Sequence, residues 1–371
     1  MKKAKSIVHD ILNCADVQIN GTRPWDITVN DPRLYQRLLR DGILGLGESY
    51  MDGWWDCDDL EQFIVHILNA DLEHVISPWK LLLPVILSKL INLQSRDRAR
   101  HDVSSHYDRG NLLFENMLDS RMTYSCGYWK SSDSLDQAQE AKLDLVCKKL
   151  NLRPGMRVLD IGCGWGSFLK YAAEKYGVSG AGVTLSREQA ALGTELCSGL
   201  PVEIRLQDYR DLDSTYQAVV SIGMFEHVGP ANHRTFMETV DRVLEGDGLF
   251  LLHTIGSNDP KFSTDPWTER HIFPGSYLPT VGQIAKAAHG LFVMEDWHNF
   301  GDDYARTLRA WCRNFKASWD PTLSRHYDQR FYRMWTYMLQ TYAGSFQVRR
   351  NQLWQIVYSK TGVPGGYASI R

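Results

Sequence analysis

The sequence predicts an α/β protein built on a seven-stranded, mostly parallel sheet with helices on both faces, preceded by a small, mainly helical N-terminal domain. Three observations support this. Short β-rich runs alternate with helical ones from about Leu135 onward, the pattern of strands joined by crossover helices. Apolar residues recur at helical spacings from Ile7 to about Leu93. A chain of 371 residues with 43% hydrophobic content has enough apolar mass for more than one small domain.

In the N-terminal region, Asn20-Gly21, Asp31-Pro32 and Asp52-Gly53 punctuate the helical pattern as turns. The reading gives a helical domain over 1–93, a polar linker over 94–106, and a larger domain over 107–371. A helix over Leu135–Leu150 leads into candidate strands at Arg157–Ile161, Gly180–Thr184, Val202–Leu206, Ala218–Ile222 and Gly248–His253. Two more, Leu291–Trp297 and Leu353–Ser359, bracket a helical insertion at about 302–350 that is rich in Trp, Tyr and Arg.

Composition narrows the function. A formal charge of −3 gives no electrostatic reason to expect nucleic acid as a partner. Seven scattered cysteines, with no C-x-x-C pair, point to a reducing cytosol and to no metal site. Polar residues follow the lysines of the first ten positions where a secretory signal needs an apolar run, so a cytoplasmic protein is expected. The apolar stretch Trp79–Leu93 is interrupted by Pro84 and Lys89 and followed by Arg96, Arg98 and Arg100. It fits an ordinary interdomain helix or one lying on a membrane surface, not a spanning helix.

The run from Val158 to Gly166, VLDIGCGWG, is an apolar strand passing into closely spaced glycines and then a helix. Such a turn offers backbone N–H groups and a helix N-terminus to a polar ligand. Three details favour S-adenosylmethionine over a dinucleotide: the G-x-G-x-G spacing, Asp160 ahead of the first glycine, and Gln207-Asp208 after the third strand. The second strand ends in Thr184-Leu185-Ser186 without the acidic residue that commonly grips ribose hydroxyls, which leaves Gln189 as the nearest long polar side chain for that task.

Further stretches are GLGESYMDGWW (Gly45–Trp55), HYDRGNLLFENMLD (His106–Asp119), MTYSCGYW (Met122–Trp129), VTLSREQ (Val183–Gln189), MFEHVG (Met224–Gly229), LLHTIG (Leu251–Gly256) and DWHNFGDDY (Asp296–Tyr304). With these the chain resembles the bacterial cyclopropane-fatty-acyl-phospholipid synthases over nearly its whole length. The resemblance implies a Rossmann-like class I methyltransferase fold. It also implies methyl transfer from S-adenosylmethionine to a cis double bond of a phospholipid acyl chain, with bound bicarbonate removing the proton whose loss closes the ring. Cys126, Glu226, His253, Tyr304 and, through its backbone, Ile255 are the implied bicarbonate holders. Tyr124 and Ser125 are implied at the methionine end of the cofactor, Gly162 and Gly164 in the loop, Thr184 and Gln189 at the ribose, and Gln207 and Asp208 near adenine. A homodimer peripherally associated with the inner face of the membrane is the implied assembly.

Singly, these residues have plainer readings: Cys126 as a small buried side chain, His253 as a core imidazole, Tyr304 as a packing residue at a helix start, and His106–Asp119 as a structural helix rather than a lid. A methyl-branching or small-molecule methyltransferase of the same superfamily is the rival activity, and a non-catalytic lipid-binding module the rival class. The Gly/Pro-rich end, SKTGVPGGYASIR, carries no feature with an assignable role.

Overall fold

The computed structural model describes residues 2–70, 72, 110–259 and 264–371. The Trp79–Leu93 stretch, the 94–106 linker and the beginning of His106–Asp119 lie outside the described residues. The chain divides into two compact units, neither contiguous in sequence.

The larger unit takes residues 92–260, 275–307 and 352–371 and holds the sheet. Its strands are β1 (Arg157–Ile161), β2 (Ser179–Thr184), β3 (Val202–Leu206), β4 (Tyr216–Ile222), β5 (Leu244–Ser257), β6 (Val293–Asn299) and β7 (Asn351–Ser359). They lie in the order β3-β2-β1-β4-β5-β7-β6. The β1–β2, β1–β4, β2–β3 and β4–β5 pairs are parallel, and β6 runs antiparallel to β7. The expected seven-stranded, mostly parallel sheet is therefore present. β5 is longer than its sequence pattern indicates, so Ile255 lies within the strand rather than just beyond it.

Strand order reverses about β1, and the carboxyl ends of β1 and β4 flank that switch point, the place where open α/β sheets bind ligands. Among the described residues the helices of this unit are α1 (Asn111–Met117), α2 (Leu135–Lys149), α3 (Ser167–Tyr176), α4 (Arg187–Leu196), α5 (His233–Val243), α6 (Val281–Ala288) and the start of α7 (Asp302–Trp319), which from Leu308 on belongs to the second unit. Ser134 and Ser186 cap α2 and α4 by accepting N–H bonds from Gln137 and Gln189.

The pleat sorts β1 residues between two cores. Leu159 and Ile161 pack with Phe236, Val240 and Ile284 on one face, and Val158 packs with Leu143, Val146 and Phe168 on the other. Asp160, two residues on from Val158, shares the face covered by α2.

The second unit collects the described part of Met1–Ile91 with 261–274 and 308–351. Its core explains the GLGESYMDGWW stretch. Trp267 lies against Tyr337 with ring centroids 4.7 Å apart, and Tyr50 packs on both Trp55 and Tyr337. A β-carbon on Gly47 would come within 2.4 Å of the Trp267 ring, so glycine is required there. Among the described residues no helix is long and apolar enough to cross a membrane.

Candidate active site

A cavity of about 1150 Å³, counted with its mouth, opens at the switch point. Tyr124, Ser125, Gly162, Gly164, Thr184, Gln189 and Gln207, seven of the eight residues expected at the cofactor, line it. Gly162, Gly164 and Gly166 all take positive φ, at 83°, 55° and 81°. A β-carbon on Gly162 would also stand 2.6 Å from Met224 on the loop after β4. The triplet thus serves both the turn and the close approach of two loops.

Gln189, expected at the ribose, is held by Thr184. Its side-chain carbonyl accepts from the Thr184 hydroxyl at 2.7 Å, so what it presents to a ligand is an amide N–H donor. Asp208 does not line the cavity. Its carboxylate caps the turn at Tyr209 and receives Arg210 through Nε and Nη2 at 2.8 and 2.7 Å. Tyr209 and Arg210 are the residues of that segment on the wall.

Below the glycine loop lies a buried polar group that sequence reasoning did not single out. Lys142 of α2 is fully buried, lines the cavity, and donates from Nζ to Ser125 Oγ at 2.7 Å. One turn earlier on α2, Gln139 holds the backbone carbonyls of Thr123 and Ser125. Asp160 also lines the cavity, with Oδ1 buried and unpartnered, and burial pushes its carboxyl up to about 7 against the pull of Lys142.

None of the five residues expected at the base lines this cavity; Cys126 and Glu226 neighbour residues that do, and Ile255 is bonded to Glu226. Glu226 sits in a 3₁₀ turn after β4, between Met224 and His227 of the cavity wall. Its Oε1 accepts from the Ile255 backbone N–H at 2.7 Å, while Oε2 is buried without a partner. Burial pushes the Glu226 carboxyl up to about 7, restrained by the Ile255 N–H. His253 lies two residues before Ile255 on the same face of β5. The Gln355 amide donates to its Nδ1 at 3.2 Å, leaving Nε2 as the protonated nitrogen, also buried and without a partner. Burial holds the ring well below its ordinary pKa, and Lys142 and Lys149 reinforce this, so it is a neutral donor.

Cys126, fully buried next to Ser125, has its thiol pushed far up by burial and stands 3.8 Å from Thr307 Oγ1. Thr307 also accepts from Gly127 N and from Trp129 Nε1 and donates to the Asp303 carbonyl, which ties the Cys126 loop to α7. Tyr304, half-buried in the first turn of α7, precedes Thr307 by one turn. Phe300 connects the groups, its ring lying 5.9 Å from that of His253 and 5.4 Å from that of Tyr128. Gln355 and Thr307, which hold two of the expected residues in place, were not foreseen.

A seven-stranded sheet of this order, with a glycine-rich turn after β1 and a donor set suited to an adenosyl amino acid, defines a class I S-adenosylmethionine-dependent methyltransferase. The comparisons give the particular family. A profile of the mycolic acid cyclopropane synthetase family matches residues 94–356, and the chain belongs to that family. It is 52% identical over 366 residues to cyclopropane-fatty-acyl-phospholipid synthase of Escherichia coli strain K12, covering 98% of this chain and 95% of that one. Among solved structures, the cyclopropane synthase MmaA2 of Mycobacterium tuberculosis superposes with a TM-score of 0.67 at 30% identity, over 73% of this chain and all of that one. A mycolic acid cyclopropane synthase complexed with S-adenosylhomocysteine superposes at 0.66 with 31% identity, over 70% and 98% of the two chains.

Proposed function

We propose that this protein is a cyclopropane-fatty-acyl-phospholipid synthase that carries the methyl group of S-adenosylmethionine to a cis double bond of a phospholipid acyl chain, with bound bicarbonate as the base. The observation that carries this reading is the 52% identity to the Escherichia coli enzyme across both compact units, beyond the region matched by the family profile.

The cofactor supplies an electrophilic methyl group. An alkene is a feeble nucleophile, so the residues must align the double bond with that methyl and exclude water. As the methyl joins one alkene carbon, the other becomes cationic. Loss of a proton from the transferred methyl frees the electron pair that closes the ring, leaving S-adenosylhomocysteine and one proton. Neither His253, a neutral donor, nor Cys126, held as a thiol, is suited to take that proton.

Two unpartnered buried atoms, His253 Nε2 and Glu226 Oε2, fit a small hydroxylated anion. The imidazole N–H donates to an oxygen of bicarbonate, and the Glu226 carboxylate accepts from its hydroxyl. Cys126 and Tyr304 complete the side-chain holders, and Ile255, whose N–H is given to Glu226 Oε1, enters through that bond. The same reading includes a homodimer and peripheral association with the inner face of the membrane, both suited to an enzyme whose substrate stays in a bilayer.

Purified protein incubated with cis-unsaturated phospholipid vesicles and methyl-labelled S-adenosylmethionine tests the reaction. Labelled fatty acids heavier by CH2 with cyclopropane proton signals support it, and rates rising with added bicarbonate support the base. An unsaturated, methyl-branched product would replace ring closure by simple methylation. Cofactor binding without any labelled acyl product would point to a small-molecule acceptor.

A further inference from the structure

Two lysines of α2 are buried, and they differ in what neutralises them. Lys149 has Asp296 at 3.6 Å and His298 Nδ1 at 3.1 Å, so its charge is met by the protein. Lys142, seven residues earlier, is equally buried. The carboxylates of Asp119 and Asp160 act on it electrostatically, yet among the described residues neither forms an ion pair with it. Its hydrogen bond goes to a neutral hydroxyl, that of Ser125, at 2.7 Å. A buried ammonium without a contacting counter-ion is costly, and the cavity it lines is open to a ligand anion.

The hydrogen bond has a direction. A lysine ammonium only donates, so Ser125 Oγ must accept from it and the hydroxyl proton is committed to another acceptor. Ser125 and Lys142 both line the cavity, as does Asp160 with its unpartnered Oδ1. The cavity therefore carries a cation-backed hydroxyl donor and a carboxylate acceptor, the complement of an amino acid zwitterion. We propose that Lys142 is a positioning residue for the amino-acid end of S-adenosylmethionine, turning the Ser125 hydroxyl onto the cofactor carboxylate. This rests on the cofactor reading above.

The test compares two ligands. S-adenosylhomocysteine has the amino-acid end, whereas 5′-methylthioadenosine keeps the adenosine and thioether without it. Lys142→Met removes the charge at nearly constant shape. By calorimetry it is expected to weaken S-adenosylhomocysteine about 10-fold or more, the scale of one charge-assisted hydrogen bond, and to leave methylthioadenosine within about twofold. Ser125→Ala should reproduce the selective loss, and Lys142→Met/Ser125→Ala should be no worse than the single substitutions. Should the methionine variant fail to fold, Ser125→Ala decides alone by the same ratio. Equal weakening of both ligands would reduce Lys142 to a structural role, and unchanged affinity for both would remove it from the site; either result overturns the proposal. Failure of the unsubstituted protein to bind S-adenosylhomocysteine would overturn the cofactor reading, and this inference with it.

Discussion

Replacing Glu226 by Gln separates two effects of one buried carboxyl. Gln retains the carbonyl that accepts from Ile255 N–H but cannot ionise or take up a proton. Burial moves the ionisation of Glu226 from 4.5 to about 7. Because the folded value lies above the unfolded one, stability is fully present below about pH 4.5 and falls as pH rises to 7. Beyond that the loss is constant at about 3 kcal/mol. Glu226→Gln should therefore differ little in stability from the parent near pH 4.5 and exceed it by up to about 3 kcal/mol at pH 8. Turnover should fall by about 10²–10⁴, the usual weight of a positioned proton-handling group. Urea unfolding in bicarbonate-free buffer at the two pH values measures the first effect, and the vesicle assay the second. Calorimetry should find cofactor affinity unchanged, since the glycine loop is untouched. Undiminished turnover would remove Glu226 from the reaction, and a stability difference that does not grow with pH would refute its buried ionisation.

Three further substitutions or labels follow from the same geometry. Gly162→Ala places a β-carbon 2.6 Å from Met224 at a φ of 83°, and backbone strain of about 1–3 kcal/mol should lower cofactor affinity about 10- to 100-fold by calorimetry. Thr307→Val strips the acceptor from Gly127 N–H and Trp129 Nε1, each worth about 1–3 kcal/mol when left unmet, so it should lower the melting temperature and activity while Thr307→Ser restores both. In native protein at pH 8, iodoacetamide should modify exposed Cys14 and spare buried Cys126 and Cys163, whose thiols burial keeps protonated; modified Cys126 in the peptide map would refute its closed environment.

The sheet was legible because parallel strands covered on both faces are near-continuous apolar runs, as Val158–Ile161 and Ala218–Ile222 are. The glycine loop was legible because its chemistry is local. What escaped was polar structure assembled at a distance. Leu135, Gln139, Lys142, Val146 and Lys149 form one buried stripe of α2 at three- and four-residue steps, but Gln and Lys on such a stripe read as breaks in the pattern until Ser125 and His298 stand opposite. Gln355 reaches His253 across 102 residues and Thr307 reaches Cys126 across 181. The C-terminal tail has no periodicity, and its conformation comes from Arg371 and Ser369 on Asp296 and from Tyr367 on the Lys149 carbonyl.

The same buried charges favour a small anion supplied from solution as the base of the proposed reaction. In that reaction positive charge would pass from the methyl donor to an alkene carbon and leave as a proton, all in surroundings where a lone charge is expensive. Of the side chains beside the cavity, His253 is held neutral with its N–H buried and unpartnered, Cys126 is held as a thiol, and Lys142, pulled down by burial to about 8, is still mostly a cation at neutral pH. Glu226, pushed up to about 7, can exchange a proton near neutrality, but its Oε1 is fixed on the Ile255 N–H, which leaves Oε2 to face a partner. In the proposed reaction a bicarbonate held by His253 and Glu226 would accept the proton from the transferred methyl group, and the Glu226 carboxylate would take the hydroxyl proton. Such a base would be replaceable from solution, whereas Glu226 and His253, which would orient it, are fixed by the turn after β4 and by β5.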